Sequence, residues 1–365
     1  MRVLIFSLSY YPLVGGAEVA IKEITSRIST NEIEWDLVTL RFDKSHPKFE
    51  KVGNVNVHRI GGGLGYLSKI FFVPQAAFWA NRKSYDLYWG MMTYMLFPIV
   101  LLRFSGKKAP YVLTLQDGDP FTHVFNRIRI ALFKPLLTFG FKNAFKVQTI
   151  SNFLAGWAKQ MGYRGNVEVI PNGVDVERFK IKDLGFKNDS GKVIITTSRL
   201  VEKNGVGDVI EAMKFLNPHV KFKILGVGSL EKSLKLKVKS LKLENRVEFL
   251  GFVPQEQIPN HLHNADVFVR PSLSEGQGIS FIEAMAAGLP VVATPVGGIP
   301  DFLEDGVTGL FCEPHNPRSI AEAVDKILNQ PDLAHRLIQN GQKLVREHYD
   351  WDLIAEDMKN KVLTL

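Results

Sequence analysis

Residues 271–294 read PSLSEGQGISFIEAMAAGLPVVAT, and the prediction of the fold starts from this stretch. The apolar run at 279–287 predicts a short helix, and a turn that contains two glycines introduces it. Gly276 and Gly278 allow the backbone to approach a ligand closely, while the first N–H groups of a helix attract an anion. The stretch therefore predicts an anion site that suits phosphate.

Two carboxylates stand on either side of this turn. Glu275 precedes the predicted helix and Glu283 lies about one turn inside it, so the two side chains can contact different parts of one elongated ligand. A sugar nucleotide, with a sugar, two phosphates and a ribose, has that shape. A purely structural interpretation makes Glu275 a loop carboxylate and lets Glu283 offset the helix dipole. The spacing alone leaves both interpretations open.

Length and composition limit the class of protein. A chain of 365 residues with 45% hydrophobic content predicts about two domains, each with its own core. The single cysteine, Cys312, excludes an internal disulfide framework and a thiolate metal site, which fits a reducing compartment. The start of the chain lacks the pattern of a signal peptide, and the apolar run at 91–102 is shorter than the roughly 20 residues that span a bilayer. We expect a cytoplasmic protein, soluble or peripheral at the inner face of the membrane.

The net charge of +8 is concentrated in one segment, residues 87–167. That segment has ten Lys and Arg residues against two acids, and ten minus two equals the whole excess of eight. Basic and aromatic residues together favour an anionic membrane surface or a lipid-phosphate acceptor, whereas ordinary core aromatics beneath solvated lysines are the structural alternative. We expect no nucleic-acid partner, because no nucleic-acid motif accompanies the charge. The aromatic residues of the segment include six phenylalanines, Phe121, Phe125, Phe133, Phe139, Phe141 and Phe145.

Strand-like and helix-like stretches alternate along the chain, which predicts an α/β fold with parallel sheets. Strands are expected at 2–9, 35–40, 55–59, 87–89, 111–115 and 144–149, and again at 193–197, 220–225, 247–250, 267–270, 291–293 and 309–311. The turn at Pro171 to Gly173 and a polar loop at 184–192 mark a change of domain. We predict domains at 1–175 and 176–350, with residues 351–365 returning to the first.

Several motifs together resemble a retaining glycosyltransferase of the GT-B fold, in the large fourth family (glycosyl transferases group 1) of the E-x(7)-E type. The resemblance implies two Rossmann-like doubly wound domains that face each other across a cleft. Besides the glutamate pair, the matching stretches are GGAE at 15–18, ISNFL at 150–154, IPNGVD at 170–175, SRLVEKNG at 198–205, FLGFV at 249–253 and GVTGL at 306–310.

The resemblance also implies roles for individual residues. Glu283 would bind the donor ribose, Glu275 would hold hydroxyls of the transferred sugar, and Arg199 with Lys203 would stabilise the departing diphosphate. The base would lie near Phe252 and Val253. Further donor contacts would come from Gly276, Gly278 and Ile279 in the second domain and from Gly15 and Gly16 in the first.

The chain departs from the family pattern at two positions. Asn204 stands where the family usually has its diphosphate lysine, and Lys203 lies one residue earlier, which is about 100° around a helix. Gln116 stands where the family commonly has histidine, and it cannot titrate. The loop that follows, with Asp117 and Asp119, is a weak metal site, so we expect no metal.

We expect Gln116, Asp117, Asp119 and His123 on the acceptor side, although a simple Asp-Gly turn explains the loop equally well. The predicted activity is transfer of a sugar from a nucleotide-diphosphate sugar to a hydroxyl of a glycan or lipid-linked acceptor, without a cofactor. Two alternatives stay open: an epimerase or hydrolase that acts on the nucleotide sugar, and a non-catalytic module that binds it.

Overall fold

The computed structural model describes residues 1–63, 65–180 and 191–365, with the backbone alone at 128 and 129. Most of the loop predicted at 184–192 therefore lies outside the described residues. The chain divides into two compact units. The first unit consists of Met1–Asn172 and Trp351–Leu365, and the second unit is Gly173–Asp350. The change of unit at 172/173 falls within the Pro-Asn-Gly turn.

The first unit is built on an eight-stranded sheet in the order β3-β4-β2-β1-β5-β6-β7-β8. All neighbouring strands are parallel except β3, which is antiparallel to β4 at the edge. Its strands are β1 (Arg2–Phe6), β2 (Glu34–Leu40), β3 (Phe49–Val52), β4 (Val55–Ile60), β5 (Leu87–Met91), β6 (Tyr111–Leu115), β7 (Lys146–Thr149) and β8 (Val167–Val169).

Helices connect these strands and cover both faces of the sheet. Strands β5 and β6 are buried along their whole length, which is why their sequences, LYWGM and YVLTL, have no alternating pattern. The helices are α1 (Gly16–Arg27), α2 (Leu67–Asn81), α3 (Leu96–Phe104), α4 (Phe121–Phe125), α5 (Ile128–Ala131), α6 (Lys134–Lys142) and α7 (Asn152–Gln160).

The second unit contains a six-stranded, fully parallel sheet in the order β11-β10-β9-β12-β13-β14. Its strands are β9 (Val193–Thr197), β10 (Lys221–Leu225), β11 (Val247–Gly251), β12 (Val267–Arg270), β13 (Val291–Ala293) and β14 (Leu310–Phe311). Its helices are α8 (Val176–Phe179), α9 (Val206–Ala212), α10 (Glu231–Ser240), α11 (Ile258–His263), α12 (Ile279–Ala286), α13 (Pro317–Asn329) and α14 (Pro331–His348).

Each sheet has one point at which the chain reverses its direction of growth, between β1 and β5 in the first sheet and between β9 and β12 in the second. Loops at the carboxyl ends of such strand pairs diverge to opposite faces and leave a crevice, which is where ligands bind in doubly wound folds. The loops after β9 and β12 hold Arg199 and the 271–278 turn. The topology therefore places both motifs at the same point of the second sheet.

The last helix, α15 (Trp351–Asp357), packs on α1 in the first unit, and a π-helical turn, Met358–Leu363, follows it. Arg27 donates a hydrogen bond from Nε to Asp352 Oδ1 at 2.5 Å. Lys146 Nζ donates to the carbonyl of Lys361 at 2.6 Å. These contacts tie the end of the chain to the first unit.

Two strands, β3 and β8, were not predicted from the sequence. Both lie at edges of the first sheet, and their residues are exposed or half-buried, so neither has the apolar run of a buried strand. A 3₁₀ turn at Gln255–Gln257 precedes α11, and Pro259 lies in the first turn of that helix.

The aromatic residues of the 87–167 segment divide between the core and the surface. Phe125 and Phe141 are fully buried in the core of the first unit, and Phe121 packs against that core. Phe133, Phe139 and Phe145 are exposed. The structural alternative, core aromatics beneath solvated lysines, is therefore right for three of the six phenylalanines. Within the described ranges, no helix is long and apolar enough to cross a membrane.

Candidate active site

The polar centre of the second unit is Arg270, the last residue of β12, which is only 6% exposed. Its guanidinium donates to Glu275 Oε2 at 2.5 Å, to Ser280 Oγ at 2.6 Å and to Ser272 Oγ at 3.2 Å. It also lies 4.2 Å from the centre of the Phe281 ring. Through these contacts Arg270 holds the turn before α12 and the first residues of that helix in place.

The sequence analysis did not identify Arg270. The signal was present, because an arginine ends the otherwise apolar strand VFVR immediately before the proline of the 271–294 stretch. A charge at the end of a fully buried strand must find counter-charges and hydrogen-bond acceptors nearby. In the second unit Glu275 and Glu283 supply the counter-charges and Arg199 adds a like charge, since all three act electrostatically on Arg270. The structure thus gathers the three principal predicted residues around one side chain.

Glu283 points into the protein from α12 and is 5% exposed. Burial raises the pKa of this carboxyl to about 7, against the opposing effects of Arg178, Arg270 and a hydrogen bond with Gln255. A carboxyl whose pKa lies near neutrality exchanges its proton readily when a ligand hydroxyl arrives. The role of Glu283 in binding ribose hydroxyls stays a prediction.

The turn before α12 has the geometry that its glycines predict. Gly278 adopts a φ of +88°, and a Cβ atom at this position would lie 2.5 Å from the Phe281 ring and 2.8 Å from Arg270 Nη2. Among the described residues no side chain caps the start of α12, so no side chain competes with a ligand for the N–H groups there. Gly276 N–H donates to Glu275 Oε1 at 3.2 Å. The predicted helix and the glycine turn before it both occur where the sequence placed them, and anion binding by the turn stays a prediction.

Several buried polar atoms of the second unit have no hydrogen-bond partner among the residues that the structure describes. They are the hydroxyls of Thr197 and Ser198 at the end of β9, and Nε of Arg178, whose charge acts on Glu283. A buried polar atom without a partner costs free energy, on the order of 1–3 kcal/mol. Buried polar atoms without partners favour a binding site in which a polar ligand supplies the missing hydrogen bonds.

Asn204, at the position where the family has a lysine, turns inward. Its side chain is 5% exposed, and Nδ2 donates to the carbonyl of Arg199 at 2.7 Å. Asn204 thus holds the loop that carries Arg199 and presents no charge. Arg199 itself is exposed, Lys203 is half-buried, and Lys203 accepts a hydrogen bond on its carbonyl from Leu273 N–H at 2.7 Å. The loops after β9 and β12 are therefore joined through the backbone.

Phe252 and Val253, the predicted base contacts, follow β11. Phe252 is 76% exposed, which is unusual for a side chain of this size, and Val253 packs against the apolar core below it. Gly251, just before them, has a φ of +69°, which turns the chain out of the sheet. An aromatic ring presented to solvent at a strand end suits stacking on a planar base.

In the first unit, α1 begins at Gly16 with Gly15 as its N-cap, and both glycines are exposed. A Cβ at Gly15 would lie 2.9 Å from Glu18 Oε2, so the end of the Glu18 side chain would have to shift to admit one. Glu18 is buried and accepts a hydrogen bond from Ser9 Oγ at 2.5 Å. The assignment of Gly15 and Gly16 to donor binding stays a prediction.

The predicted acceptor-side residues lie together after β6. Gln116 and Asn172 form a reciprocal amide pair, with both N–H···O distances at 3.1 Å. Thr93 Oγ1 donates to Asp117 Oδ2 at 3.1 Å, and burial raises the pKa of Asp117 to about 6. His123 Nε2 lies 3.9 Å from Asp119 Oδ2. Among the described residues, no group of three His, Cys, Asp or Glu side chains could hold a metal ion.

The two parallel sheets, with their polar clusters at the carboxyl ends of the strands, are those of GT-B glycosyltransferases. Two family models match the chain and together run from residue 14 to residue 344. The model described as Glycosyl transferases group 1 matches residues 177–344, and the one described as Glycosyltransferase Family 4 matches residues 14–178. The chain belongs to this glycosyltransferase family.

Individual proteins agree with this assignment. An uncharacterized glycosyltransferase of Methanocaldococcus jannaschii is 28% identical over 99% of this chain and 97% of its own length. A GDP-mannose-dependent alpha-(1-6)-phosphatidylinositol monomannoside mannosyltransferase of Mycobacterium tuberculosis is 28% identical over 54% of this chain and 56% of its own. The crystal structure of Anabaena HepE in complex with UDP and glucose has a TM-score of 0.81 at 23% identity and covers 100% of both chains. The predictions of a group 1 glycosyltransferase and of the GT-B fold are confirmed, whereas the E-x(7)-E type and the retaining mechanism stay predictions.

Proposed function

We propose that the protein transfers a sugar from a nucleotide-diphosphate sugar to an acceptor hydroxyl with retention of the anomeric configuration. The observation that carries this proposal is the cluster around buried Arg270, in which Glu275, Glu283 and Arg199 lie near the uncapped start of α12. A nucleotide sugar needs a cation and N–H groups for its diphosphate and carboxylates for its ribose and sugar hydroxyls. The second unit supplies each of these groups.

Each residue has a proposed role. Glu283, with its pKa near neutrality, binds the ribose hydroxyls, and Glu275, oriented by Arg270, binds hydroxyls of the sugar. Arg199 and the N–H groups at Gly278 and Ile279 stabilise the diphosphate. Asn204 is turned inward and carries no charge, so we assign to Lys203 the part that the family's lysine has at the diphosphate. Phe252 and Val253 contact the base, and Arg270 is a positioning residue.

The chemical step follows from these roles. The acceptor oxygen bonds to the anomeric carbon on the face from which the diphosphate oxygen departs, and the departing phosphate oxygen takes the acceptor proton. The main contribution of the protein is electrostatic, since negative charge grows on the diphosphate as the bond breaks. We propose that the step needs no metal and no cofactor, so that EDTA leaves the rate unchanged.

The donor and the acceptor are proposed from two relatives. HepE was solved with UDP and glucose, and the mycobacterial relative is named for GDP-mannose and a phosphatidylinositol mannoside. We propose UDP-glucose and GDP-mannose as the first donors to test and a lipid-linked or cell-surface glycan as the acceptor class. We assign the acceptor to the first unit, near Gln116 and Asp117, with Asp119 and His123 at the edge of that cluster.

A thermal-shift screen over nucleotide sugars tests the donor site. We expect one donor to raise the melting temperature of the wild type and of Glu244→Gln, an exposed control, and to leave Glu283→Gln unshifted. Equal shifts in all three proteins would contradict the ribose assignment. Lys203→Ala in the same screen measures the contribution of that lysine.

Turnover assays then separate transfer from the two alternatives. With donor and acceptor glycolipid, NMR of the product should show the anomeric configuration of the donor. Free sugar or an isomer formed from donor alone would indicate a hydrolase or epimerase, and a donor shift without any product would indicate a binding module. Asp117→Asn should slow transfer without changing donor affinity if the first unit binds the acceptor.

A further inference from the structure

Helix α2 carries an apolar stripe on the side that faces solvent. At 100° per residue its members fall within an arc of about 100°, so they form one continuous face. The exposed fractions are 53% for Leu67, 54% for Ile70, 48% for Phe71 and 64% for Phe78, and Pro74 lies exposed among them.

The opposite side of α2 already packs on the core of the first unit. Phe72, Ala76 and Ala80 are fully buried there. A helix that covers a sheet normally presents polar residues to solvent, whereas α2 is apolar on both sides. Exposed apolar surface of this kind marks an interaction site, because water does not stabilise it.

The neighbouring helices also expose apolar residues. Helix α2 packs on α3, and α3 packs on α6, so the three lie in one layer over the sheet. Leu101 and Phe104 of α3 are 38% and 60% exposed, and Phe139 of α6 is 37% exposed. The Phe104 and Phe139 rings lie 5.3 Å apart. We call the exposed residues of these three helices the α2–α3–α6 face.

The sequence of α2 and α3 and of the segment between them is basic, which favours an anionic partner. Between Tyr66 and Lys108 the sequence has six basic residues (Lys69, Arg82, Lys83, Arg103, Lys107 and Lys108) and one acid, Asp86. The Arg82 guanidinium lies 4.4 Å from the Phe78 ring centre, and Lys69 Nζ lies 5.9 Å from that of Tyr66. Long cationic side chains beside aromatic rings can keep their stems in an apolar phase and their charges at phosphate groups.

We infer that the α2–α3–α6 face docks on an anionic phospholipid surface. Aliphatic and aromatic side chains enter the boundary between headgroups and acyl chains, and the surrounding cations bind headgroup phosphates. A second copy of the chain would bring two positively charged rims together, which disfavours that occupant. The surface overlaps the segment that the sequence predicted, because α3 and α6 lie within residues 87–167, and it extends beyond that segment onto α2. The inference is independent of the proposed transfer, since docking requires no turnover.

Flotation of the full chain with vesicles tests the docking. We expect binding to phosphatidylcholine vesicles that contain phosphatidylglycerol, weak binding to phosphatidylcholine alone, and loss of binding as salt rises. The variant Phe71→Ser/Phe78→Ser should lower the partition coefficient roughly tenfold or more. Leu236→Ser, which changes a 68% exposed side chain on α10 of the second unit, should leave it unchanged. Binding that is the same in all variants would overturn the inference.

A second variant keeps the test valid if the double substitution disturbs folding. Lys69→Glu/Arg82→Glu changes only the charge of the rim and should abolish the preference for anionic vesicles. Circular dichroism confirms that each variant is folded. The lipid proposal would be overturned if the chain did not float with vesicles but formed a dimer in solution that Phe78→Ser abolished. That result would assign the face to a second copy of the chain.

Discussion

The polar clusters at the carboxyl ends of the two sheets differ in kind. In the second unit the cluster is built on a buried ion pair between Arg270 and Glu275, on which Glu283 also acts electrostatically. In the first unit it is built on side-chain hydrogen bonds, with the Gln116–Asn172 amide pair and the Thr93 hydroxyl that donates to Asp117. Burying charge is expensive and sensitive to the loss of any member, whereas amide and hydroxyl bonds are modest in net effect.

This difference indicates which unit depends more on its ligand. The second unit also carries buried hydroxyls at Thr197 and Ser198 that have no partner within the described part of the chain, and a carboxyl whose pKa burial raises to about 7, compared with about 6 for Asp117 in the first unit. Such groups are stabilised when a polar ligand arrives, because it supplies the missing partners. The four predictions that follow test this contrast between a cluster built on a buried ion pair and one built on hydrogen bonds.

The largest effect is expected from Arg270→Met. The substitution leaves Glu275 and Glu283 without their buried cation, and breaking a buried ion pair costs about 3–5 kcal/mol. Urea unfolding should show this loss, and the nucleotide sugar should no longer shift the melting temperature. The exposed Arg318→Met is the matched control and should change stability by less than about 1 kcal/mol. A wild-type midpoint for Arg270→Met would show that the cluster does not depend on the cation.

Arg199→Ala should affect turnover while the protein stays folded, because the Arg199 side chain is exposed. Loss of one preorganised charge at the departing diphosphate is expected to lower kcat by about 10²–10³, or about 3–4 kcal/mol. Steady-state rates with saturating donor measure this effect. Lys214→Ala, an exposed lysine in the same unit, serves as control. Unchanged turnover would remove Arg199 from the proposed mechanism.

Glu283 should make the stability of the second unit depend on pH. Burial raises the pKa of its carboxyl from 4.5 to about 7, so the folded state binds more protons than the unfolded state between these values. The stability that this proton provides is present below pH 4.5 and is lost as the pH rises through 7, by about 3 kcal/mol in total.

Glu283→Gln removes this titration. The variant should therefore be more stable than wild type at pH 8 and should show a flatter stability profile between pH 5 and 8, within the same roughly 3 kcal/mol. Chemical denaturation across that pH range provides the measurement, with Glu244→Gln as the control that keeps the wild-type slope. A parallel profile for wild type and Glu283→Gln would mean that another group titrates.

The smallest effect is expected from Gln116→Ala in the first unit. The change removes two amide hydrogen bonds to Asn172, which together contribute about 1–2 kcal/mol. Thermal unfolding should register this loss, and donor binding should be unaffected. A loss as large as that of Arg270→Met would erase the proposed contrast between the clusters.

The motifs and the alternation of strands and helices were readable from the sequence because they are local. The start of α12 lies at the predicted residue, Ile279, since glycine and apolar periodicity mark that boundary directly. The edge strands β3 and β8 escaped prediction because their pairing depends on neighbouring strands rather than on an apolar pattern. Arg270 escaped for a related reason: its importance comes from the residues that surround it.

The sequence by itself determined the family, the two α/β units and the identity of the glycine turn with its two acids. Tertiary structure alone decided that Arg270 orients Glu275, that Asn204 turns inward to the Arg199 carbonyl, and that the outer side of α2 is apolar. Local patterns follow from steric preference and periodicity along the chain. Burial and charge pairing depend on residues that are distant in sequence, so they are fixed only when the sheet assembles.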